Sequence, residues 1–310
     1  MTKVFIDGSA GTTGLRIYER LASRKDISLM ILSDDKRKDD NYRKEALNSC
    51  DIAFLCLPDA AAKQAVSFVE NKDVAIIDTS TAHRTDSMWD YGFPELYNGY
   101  EKIKNSKRIA NPGCHASGFL ALATPLTQCG AIKKDEILHA FSITGYSGGG
   151  KSMIAEYEAE VRDFKLDAPR QYGLSQSHKH LPEMSKIACL ENAPLFCPIV
   201  APFYSGMEVT ITLSAQQISA TIPEIKEIYT KYYNNGKGLV KFADCADENG
   251  FVSASALCGR DDMQIAVFGN DERILLVSRF DNLGKGASGS AIQNMNIILG
   301  ADEKTGLVTE

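Results

Sequence analysis

Cys114 stands where a reactive thiol would be placed. It directly follows the turn Asn111-Pro112-Gly113, which ends a short strand-like run, and the residues after it repeat apolar side chains as a helix does. The free N–H groups and the positive dipole end of a helix N-terminus favour a thiolate. The sequence therefore predicts that Cys114 is a nucleophile.

Two histidines and a carboxylate lie within six residues of one another: His178, His180 and Glu183. If residues 177–181 are extended, side-chain alternation puts both histidines on one face. Imidazole titrates near neutral pH, so either ring is a candidate acid–base partner for the thiolate, and Glu183 is a candidate to orient one of them. A zinc site built from these histidines and a downstream cysteine matches no common ligand spacing, so no metal is expected.

The octapeptide at residues 145–152, GYSGGGKS, matches the phosphate-loop pattern G-x-x-x-x-G-K-[ST]. A strand-like run precedes it and a helix-like run follows, so its backbone N–H groups and a cation suit a phosphoryl or carboxylate group. We expect Ser147, Gly148 and Lys151 to bind an anionic substrate. Arg84 is a second predicted substrate contact, because a guanidinium can hold a carboxylate or phosphate with two hydrogen bonds.

The same octapeptide leaves open a phosphate-loop NTPase or kinase, with Asp281 at the end of a later strand-like run as the Mg²⁺ carboxylate. Against this alternative, the loop lies in mid-chain, behind a nucleotide-binding half that is already complete. A kinase would also leave Cys114 and the paired histidines without a task.

A strand, a glycine turn and a helix open the chain. Residues 3–7 (KVFID) are strand-like, GSAGTTG follows from Gly8, and residues 15–24 repeat apolar residues at helical spacing. Small residues let the backbone approach a pyrophosphate, which a helix N-terminus then binds. The spacing G-x-x-G-x-x-G differs from the usual dinucleotide fingerprint but allows the same contacts.

Further strand-like runs at 27–33, 51–58 and 73–80 alternate with helix-like segments. This alternation predicts an α/β protein with an N-terminal Rossmann-type, doubly wound parallel sheet. Ligands of such sheets bind at the carboxyl ends of the strands, which places Pro58 and residues 79–84 near the cofactor loop.

The end of the second strand favours NADP over NAD. Asp34 and Asp35 are followed by Lys36, Arg37 and Lys38, which suit a 2′-phosphate better than free ribose hydroxyls. The cofactor-binding residues predicted from these segments are Gly8, Ser9, Gly11, Thr12, Thr13, Gly14, Ser33, Lys36, Arg37 and Pro58.

The pattern of strand-like and helix-like runs changes after about residue 140. Strand-like runs at 208–215 and 273–280 are separated by long segments, and residues 220–235 read as a helix with Pro223 in its first turn. We expect an α+β catalytic domain whose sheet joins nonconsecutive strands, with the tight junction between the domains near residues 112–116.

Composition narrows the function classes. The chain has 310 residues, a net charge of −6 and a pI near 5.5, so a nucleic-acid partner is not expected. No apolar run approaches the roughly 20 residues that span a bilayer, and the N-terminus lacks a signal-peptide pattern. The eight cysteines form no C-x-x-C pair. We expect a cytoplasmic protein with reduced thiols and no membrane contact.

Several segments together resemble N-acetyl-γ-glutamyl-phosphate reductase, especially its short, second type. The resemblance covers nearly the whole chain, and the glycine loop GGGKS departs from the form usual in the longer type. The segments that carry it are GSAGTTG, DTSTAHR, NPGCHASG, SHKHLPE and DNLGKGASGSAIQNMNIILG.

The resemblance implies a chemistry and a domain plan. Cys114 would attack the acyl carbon of N-acetyl-L-glutamyl 5-phosphate and expel phosphate, and NADPH would reduce the resulting thioester to the semialdehyde, a step of arginine biosynthesis. Residues 1–113 with 286–310 would bind NADP, Asn282 would lie near the nicotinamide, and residues 114–285 would form the catalytic and oligomerisation domain. The sheet of that domain makes the oligomer interface in this family, so a homodimer or homotetramer is expected.

Two further alternatives stay open at this point. Aspartate-semialdehyde dehydrogenase shares the architecture and the thiol chemistry, although SHKHLPE and DNLGKGASG favour the N-acetylglutamyl substrate. A non-catalytic NADP-binding sensor would use only the first domain.

Overall fold

The protein is described by a computed structural model that covers residues 1–309. The chain forms two compact units. The first comprises Met1–Gly113 and Ala287–Leu307, and the second comprises Cys114–Gly286 and the C-terminal residues from Val308.

The helices and strands follow one another in two series. Up to Cys114 they are β1 (Thr2–Asp7), α1 (Thr12–Leu21), β2 (Ile27–Met30), α2 (Asp40–Ser49), β3 (Ile52–Leu55), α3 (Asp59–Ser67), β4 (Ala75–Asp78), β5 (Asp90–Tyr91), α4 (Gly99–Lys104) and β6 (Arg108–Ala110). From Cys114 they are α5 (Cys114–Gln128), β7 (His139–Gly145), α6 (Gly150–Glu158), β8 (Arg170–Gln171), α7 (Leu181–Ile187), β9 (Leu195–Ala201), β10 (Met207–Ser214), α8 (Ile222–Tyr233), β11 (Val240–Phe242), β12 (Met263–Gly269), β13 (Arg273–Phe280) and α9 (Gly289–Ile298).

The first unit is a six-stranded parallel sheet in the order β2-β1-β3-β4-β6-β5. One face packs against α1, α4 and α9, and the other packs against α2 and α3. Because helices cover both faces, strands such as β3 and β4 are buried throughout and read as continuous apolar runs. The predicted doubly wound fold is confirmed.

The predicted strand bounds were too long at their carboxyl ends. The apolar runs 51–58 and 73–80 give four-residue strands, because the chain leaves the sheet at the edge where ligands bind. Pro58 is the N-cap residue of α3. The sequence analysis did not identify α2, whose start is capped by the Asp39 side chain as it accepts a hydrogen bond from the Asn41 N–H.

The second unit is a mixed seven-stranded sheet in the order β11-β12-β13-β10-β7-β9-β8. The predicted strand at 273–280 and the proline-started helix are confirmed as β13 and α8, whereas β9 and β12 were not predicted. Helix α5 lies close to this sheet, since a Cβ at Gly118 would come within 2.5 Å of Val209 and 2.8 Å of Ser278. The hydroxyls of Tyr229 and Tyr233 on α8 donate to the carbonyls of Leu122 and Ala121 on α5.

The other face of this sheet exposes large apolar side chains. Phe141, Leu195 and Leu275 are 45%, 48% and 40% exposed. The strand register puts them on one side, because Phe141 lies opposite Thr210 and Leu275 lies opposite Thr212 on the shared neighbour β10.

Within residues 1–309, no helix has both the length and the apolar character that crossing a bilayer requires.

Candidate active site

Cys114 is the first residue of α5, as predicted, and its side chain is partly exposed. A Cβ at Gly286 would lie 2.9 Å from the Cβ of Cys114, so only glycine lets the chain pass this close to the thiol. The local structure therefore presents the thiol at a helix N-terminus and crowds it on one side with backbone.

Three aromatic rings, besides that of Phe196 at 5.3 Å, gather in the second unit around His115, the residue that follows this cysteine. The His115 ring lies 5.7 Å from His178, 5.4 Å from His180 and 6.1 Å from Tyr172, measured between centroids. The rings of His178 and His180 are 4.9 Å apart. His178 and His180 were predicted site residues, whereas no role was predicted for His115 or Tyr172.

The segment that carries these rings is a turn, so the predicted extended conformation for 177–181 is wrong. His180 has helical backbone angles and is the N-cap residue of α7. The turn is fixed to β9 by Gln176, whose side-chain amide exchanges two hydrogen bonds with the backbone of Phe196. Gln176 has a φ of +51°, a conformation that a pattern of side-chain types does not reveal.

Burial sets the charge of the cluster. Desolvation, together with the positive charges of His178 and Lys179, lowers the pKa of His115 to about 3. Burial and Lys179 also lower the pKa of His178 below its ordinary value. Burial, with the Cys114 charge, raises the pKa of Tyr172, so its phenol stays protonated.

The tautomer of His178 follows from one contact. The backbone N–H of His180 donates to His178 Nδ1 over 3.3 Å, so the proton of the neutral ring resides on Nε2. His180 is 5% exposed and Glu183, on α7, is 1% exposed. Of the predicted acid–base candidates, His178 is the partly exposed one.

The loop after β7 has fewer open N–H groups than its sequence suggested. The backbone N–H groups of Gly145, Tyr146 and Ser147 donate to the carbonyls of Gly206, Phe203 and Tyr204. Residues 146–149 form a 3₁₀ turn before α6, and Lys151 is exposed on that helix.

Asn282 belongs to the same loop region of the second unit. Its Nδ2 donates to Ser147 Oγ over 3.0 Å and its Oδ1 accepts from the Gly206 N–H. A Cβ at Gly148 would lie 3.4 Å from that Nδ2. The structure therefore brings Asn282, predicted to bind cofactor, together with two predicted substrate residues.

Neither the phosphate-loop pattern nor Asp281 has the geometry that the kinase alternative requires. A phosphate loop needs backbone N–H groups that are open to the ligand, and three of them are engaged here. Asp281 is fully buried and accepts hydrogen bonds from Ser205 Oγ and from the N–H groups of Gly259, Leu283 and Gly284, so its carboxylate shapes its own loop.

Arg84 lies in the first unit. Its guanidinium is 8% exposed and donates to the carbonyls of Thr79 and Asn111, each over 2.9 Å. These bonds hold the segment that leads to Cys114. The predicted substrate contact stays a prediction.

A cleft of about 410 Å³ opens at the carboxyl ends of β1, β2 and β3 in the first unit. Of the predicted cofactor residues, Gly8, Ser9 and Arg37 line it. Gly8 has a φ of +87°, and a Cβ there would lie 2.3 Å from the Cys56 carbonyl oxygen. Glycine is therefore required at the turn that leads into α1.

The start of α1 fits a dinucleotide phosphate. Gly11 is the N-cap residue, and no described side chain caps the N–H groups that follow. Among residues 1–309 the buried hydroxyl of Thr12 has no hydrogen-bond partner. A bound phosphate would accept hydrogen bonds from these N–H groups and from the Thr12 hydroxyl.

Only some of the basic residues after β2 line this cleft. Arg37 and Lys38 line it, whereas the Lys36 ammonium lies over the Tyr42 ring, 4.7 Å from its centroid. At the back of the cleft, Arg43 binds Asp7 through two hydrogen bonds of 2.9 and 3.1 Å. This pair could not be predicted from sequence, because its members lie 36 residues apart and match no motif.

No group of three or more histidine, cysteine, aspartate or glutamate side chains within residues 1–309 has the geometry of a metal site.

The two units match two models of one enzyme class. Residues 3–106 match the model described as semialdehyde dehydrogenase, NAD binding domain, and residues 114–282 match semialdehyde dehydrogenase, dimerisation domain. The fold also resembles aspartate semialdehyde dehydrogenase II from Vibrio cholerae, with a TM-score of 0.72 over 96% of this chain and 98% of that chain, at 17% identity. A structure titled aspartate semialdehyde dehydrogenase with NADP, from Candida albicans, has a TM-score of 0.68 at 16% identity, over 97% and 99% of the chains. The class is that of the semialdehyde dehydrogenases.

Sequence relatives narrow the class. N-acetyl-gamma-glutamyl-phosphate reductase 2 of Nostoc sp. is 45% identical, covering 98% of this chain and 99% of the relative. The reductases of the same name from Burkholderia lata and Sinorhizobium medicae are each 42% identical, covering 96% of this chain and 96% and 99% of the relatives. The chain belongs to the N-acetyl-gamma-glutamyl-phosphate reductases.

Proposed function

We propose that the protein uses NADPH to reduce N-acetyl-L-glutamyl 5-phosphate to N-acetyl-L-glutamate 5-semialdehyde with release of phosphate, in arginine biosynthesis. The observation that carries this is the thiol of Cys114 at the start of α5, next to the histidine cluster. The relatives' names supply the substrate.

Cys114 performs the first step. Its thiolate attacks the acyl carbon, and the phosphate leaves with the electrons of the acyl–oxygen bond, so the acyl group becomes a thioester. Covalent catalysis divides one hard reduction into two easier steps. The helix N-terminus stabilises the thiolate before attack.

His178 moves the protons of the second step. When bound, a nicotinamide cofactor would supply a hydride to the thioester carbon. His178 gives a proton to the alkoxide oxygen that this addition leaves, which forms the thiohemiacetal. The same ring then takes that proton back as the thiohemiacetal collapses to aldehyde and thiolate. His178 suits this task because its Nδ1 accepts from the His180 N–H, which leaves Nε2 to carry the proton.

The anionic ends of the substrate need separate partners. We assign one to the loop of Ser147, Gly148 and Lys151, where the exposed Lys151 at the start of α6 supplies a positive charge. Arg84 is the proposed partner for a second anion, because a guanidinium can hold a carboxylate or phosphate with two hydrogen bonds.

NADP is the proposed cofactor. Residues 1–113 with 286–310 form its domain, and the cleft at the ends of β1 and β2 holds its adenosine end, with Arg37 and Lys38 supplying charge for the 2′-phosphate. The Candida albicans structure of this fold carries NADP in its title. Asn282 is proposed to approach the nicotinamide.

The test runs the reaction backward. N-acetylglutamate semialdehyde, phosphate and NADP⁺ should yield NADPH, and omitting phosphate should stop the reaction, because phosphate is the group that releases the thioester. Cys114→Ser should abolish turnover, while Cys245→Ser, a change at an exposed cysteine, should leave it intact. Equal or faster turnover of aspartate semialdehyde would contradict the substrate assignment.

A homodimer is proposed through the exposed face of the mixed sheet. Residues 114–285 form the catalytic and oligomerisation domain, and the matching family model is named for dimerisation. The exposed Phe141, Leu195 and Leu275 lie on one side of that sheet. Large apolar side chains exposed on one face are unfavourable in water and are typical of a subunit interface.

Light scattering of the purified protein tests this interface. Phe141→Glu should halve the molar mass, because the charge would be buried without a partner. Phe164→Glu is the matched control, since Phe164 is more exposed, at 79%, and lies off the sheet. A monomeric wild type, or a dimer unaffected by Phe141→Glu, would contradict the proposal. The cytoplasm is the proposed location, where glutathione keeps the cysteines reduced.

A further inference from the structure

His115 is buried beside the proposed nucleophile and uses both ring nitrogens. Its Nδ1 lies 2.7 Å from Ser142 Oγ on β7, and its Nε2 lies 2.6 Å from the hydroxyl of Tyr172. The His115 side chain is 3% exposed and Ser142 is fully buried. The mechanism described above uses none of these three residues.

The ring charge determines how the hydrogen bonds can run. His115 is neutral at physiological pH, because burial and the neighbouring His178 and Lys179 oppose its protonation. A neutral imidazole has one N–H and one lone pair, so it donates to one of its partners and accepts from the other. The Ser142 hydroxyl can donate or accept. If His115 accepts from Ser142 it donates to Tyr172, and if it donates to Ser142 it accepts from Tyr172.

Tyr172 is the group through which the direction of these hydrogen bonds affects the Cys114 thiol. Its hydroxyl is protonated, and the Cys114 charge acts on it directly. If His115 Nε2–H donates to the phenol oxygen, the phenol proton must point elsewhere. The Cys114 thiolate is the anion whose charge acts on this hydroxyl, and a hydrogen bond to an anion is stronger than one to a neutral group.

We propose that His115 is a positioning residue that acts through Tyr172. In the resting enzyme Ser142 donates to Nδ1, Nε2–H donates to the Tyr172 oxygen, and the Tyr172 hydroxyl donates to the sulfur of Cys114. The chain of hydrogen bonds stabilises the thiolate without placing a second charge in the site. The proposal rests on the proposed function only in taking Cys114 as the nucleophile.

Other titratable groups belong to the segments around His115 and Cys114. They are His178, Lys179 and His180 on the turn before α7, Glu183 on α7, and Lys285 beside Gly286. None of these is changed in the variants below, so a shift between variants reports the Ser142–His115–Tyr172 chain.

The test measures the rate at which iodoacetamide alkylates Cys114 as a function of pH, by mass spectrometry of its peptide. Tyr172→Phe should move the midpoint of the profile to higher pH by about one unit, which is a roughly tenfold slower reaction below the midpoint. Tyr232→Phe is the matched control, because its hydroxyl is also hydrogen-bonded, to Gln128, and lies in the same unit. Its midpoint should equal that of the wild type.

Variants of His115 separate positioning from packing. His115→Leu should shift the midpoint as Tyr172→Phe does, and the double variant should add little, because both remove one chain. His115→Gln keeps a nitrogen near the position of Nε2 and should restore most of the wild-type profile. If His115→Leu fails to fold, Tyr172→Phe and Ser142→Ala decide the question, with a smaller shift in the same direction expected for Ser142→Ala.

An unchanged midpoint in folded Tyr172→Phe overturns the proposal, as does a His115→Gln profile equal to that of His115→Leu. Alkylation requires neither substrate nor cofactor. Failure of this test therefore leaves the reductase function standing, and failure of turnover alongside the expected shifts removes the reductase function but not the hydrogen-bond chain.

Discussion

The two units prepare their functional groups in opposite ways. In the parallel-sheet unit, α1 starts without a side-chain cap and the Thr12 hydroxyl has no partner among residues 1–309. In the mixed-sheet unit, both nitrogens of His115 are hydrogen-bonded. The first unit leaves polar groups at the start of α1 open for a phosphate ligand to satisfy, whereas the second unit engages both nitrogens of His115 internally and so fixes the direction of that ring before substrate arrives.

The comparison separates two ways of using a buried polar group. An open group costs free energy until the ligand binds, so it links binding to stability. A satisfied network is rigid, and its contribution is orientation. Changes in the first unit should therefore appear mainly in cofactor affinity, and changes in the second should appear in the chemical step.

The largest effect is expected at His178. His178→Asn keeps an acceptor near the position of Nδ1, for the His180 N–H, but removes Nε2 and the proton it carries. The turnover number should fall by roughly a hundredfold or more, with little change in the Michaelis constant for NADPH. Steady-state kinetics in both substrates measure this, with His139→Asn, a change at an exposed histidine, as the control. A larger change in the Michaelis constant for NADPH than in the turnover number would contradict the comparison between the two units.

A middle-sized effect is expected in the first unit. Arg37→Ala should raise the Michaelis constant for NADPH about tenfold and leave that for NADH unchanged, because the side chain lines the cleft and its charge is the one proposed to bind the 2′-phosphate. Lys36→Ala is the matched variant and should have a smaller effect, since its ammonium lies over Tyr42. Equal effects of the two changes, or an equal effect on both cofactors, would contradict the assignment.

The pH dependence of stability tests the neutral His115. Its pKa is lowered to about 3, while an unfolded histidine titrates near ~6.5. Between these values the unfolded chain binds a proton that the folded chain does not, so the free energy of unfolding decreases as pH falls. The slope contributed is about 1.4 kcal/mol per pH unit, and urea unfolding should show it missing in His115→Gln and kept in His139→Gln. A slope unchanged in His115→Gln would show that the ring is charged in the folded state.

The smallest effect is expected at Lys179. Its positive charge helps to lower the pKa of His178, so Lys179→Gln should raise that pKa and move the acid limb of the pH–rate profile to higher pH. Lys179 is exposed, and the shift should be about a few tenths of a pH unit and smaller in high salt. Lys165→Gln, at another exposed lysine, should leave the profile in place. A shift to lower pH would contradict the assignment of that limb to His178.

The same contrast explains what could be predicted from sequence. The cofactor loop is contiguous, and a parallel sheet brings the ends of neighbouring strands to one edge, so GSAGTTG and the basic residues after β2 placed the cleft. The Cys114 position also follows from local sequence, since a proline–glycine turn before a helix is a local signal.

The second-unit cluster could not be predicted as a whole. It joins residues from α5, β7 and the turn before α7, and the parallel pairing of β7 with β9 gives no short-range signal. His115 was visible only as the residue after Cys114, and no pattern linked it to Tyr172, 57 residues away. The available signal was the presence of a histidine on an otherwise apolar helix, where it must find partners when buried.

The central claim is that Cys114 carries the acyl group. The most direct measurement is mass spectrometry of the protein after mixing with N-acetyl-L-glutamyl 5-phosphate in the absence of NADPH. We predict a hydroxylamine-sensitive N-acetylglutamyl adduct that maps to the Cys114 peptide and disappears when NADPH is added. An active enzyme that shows no adduct, or an adduct that persists in Cys114→Ser, would contradict the account.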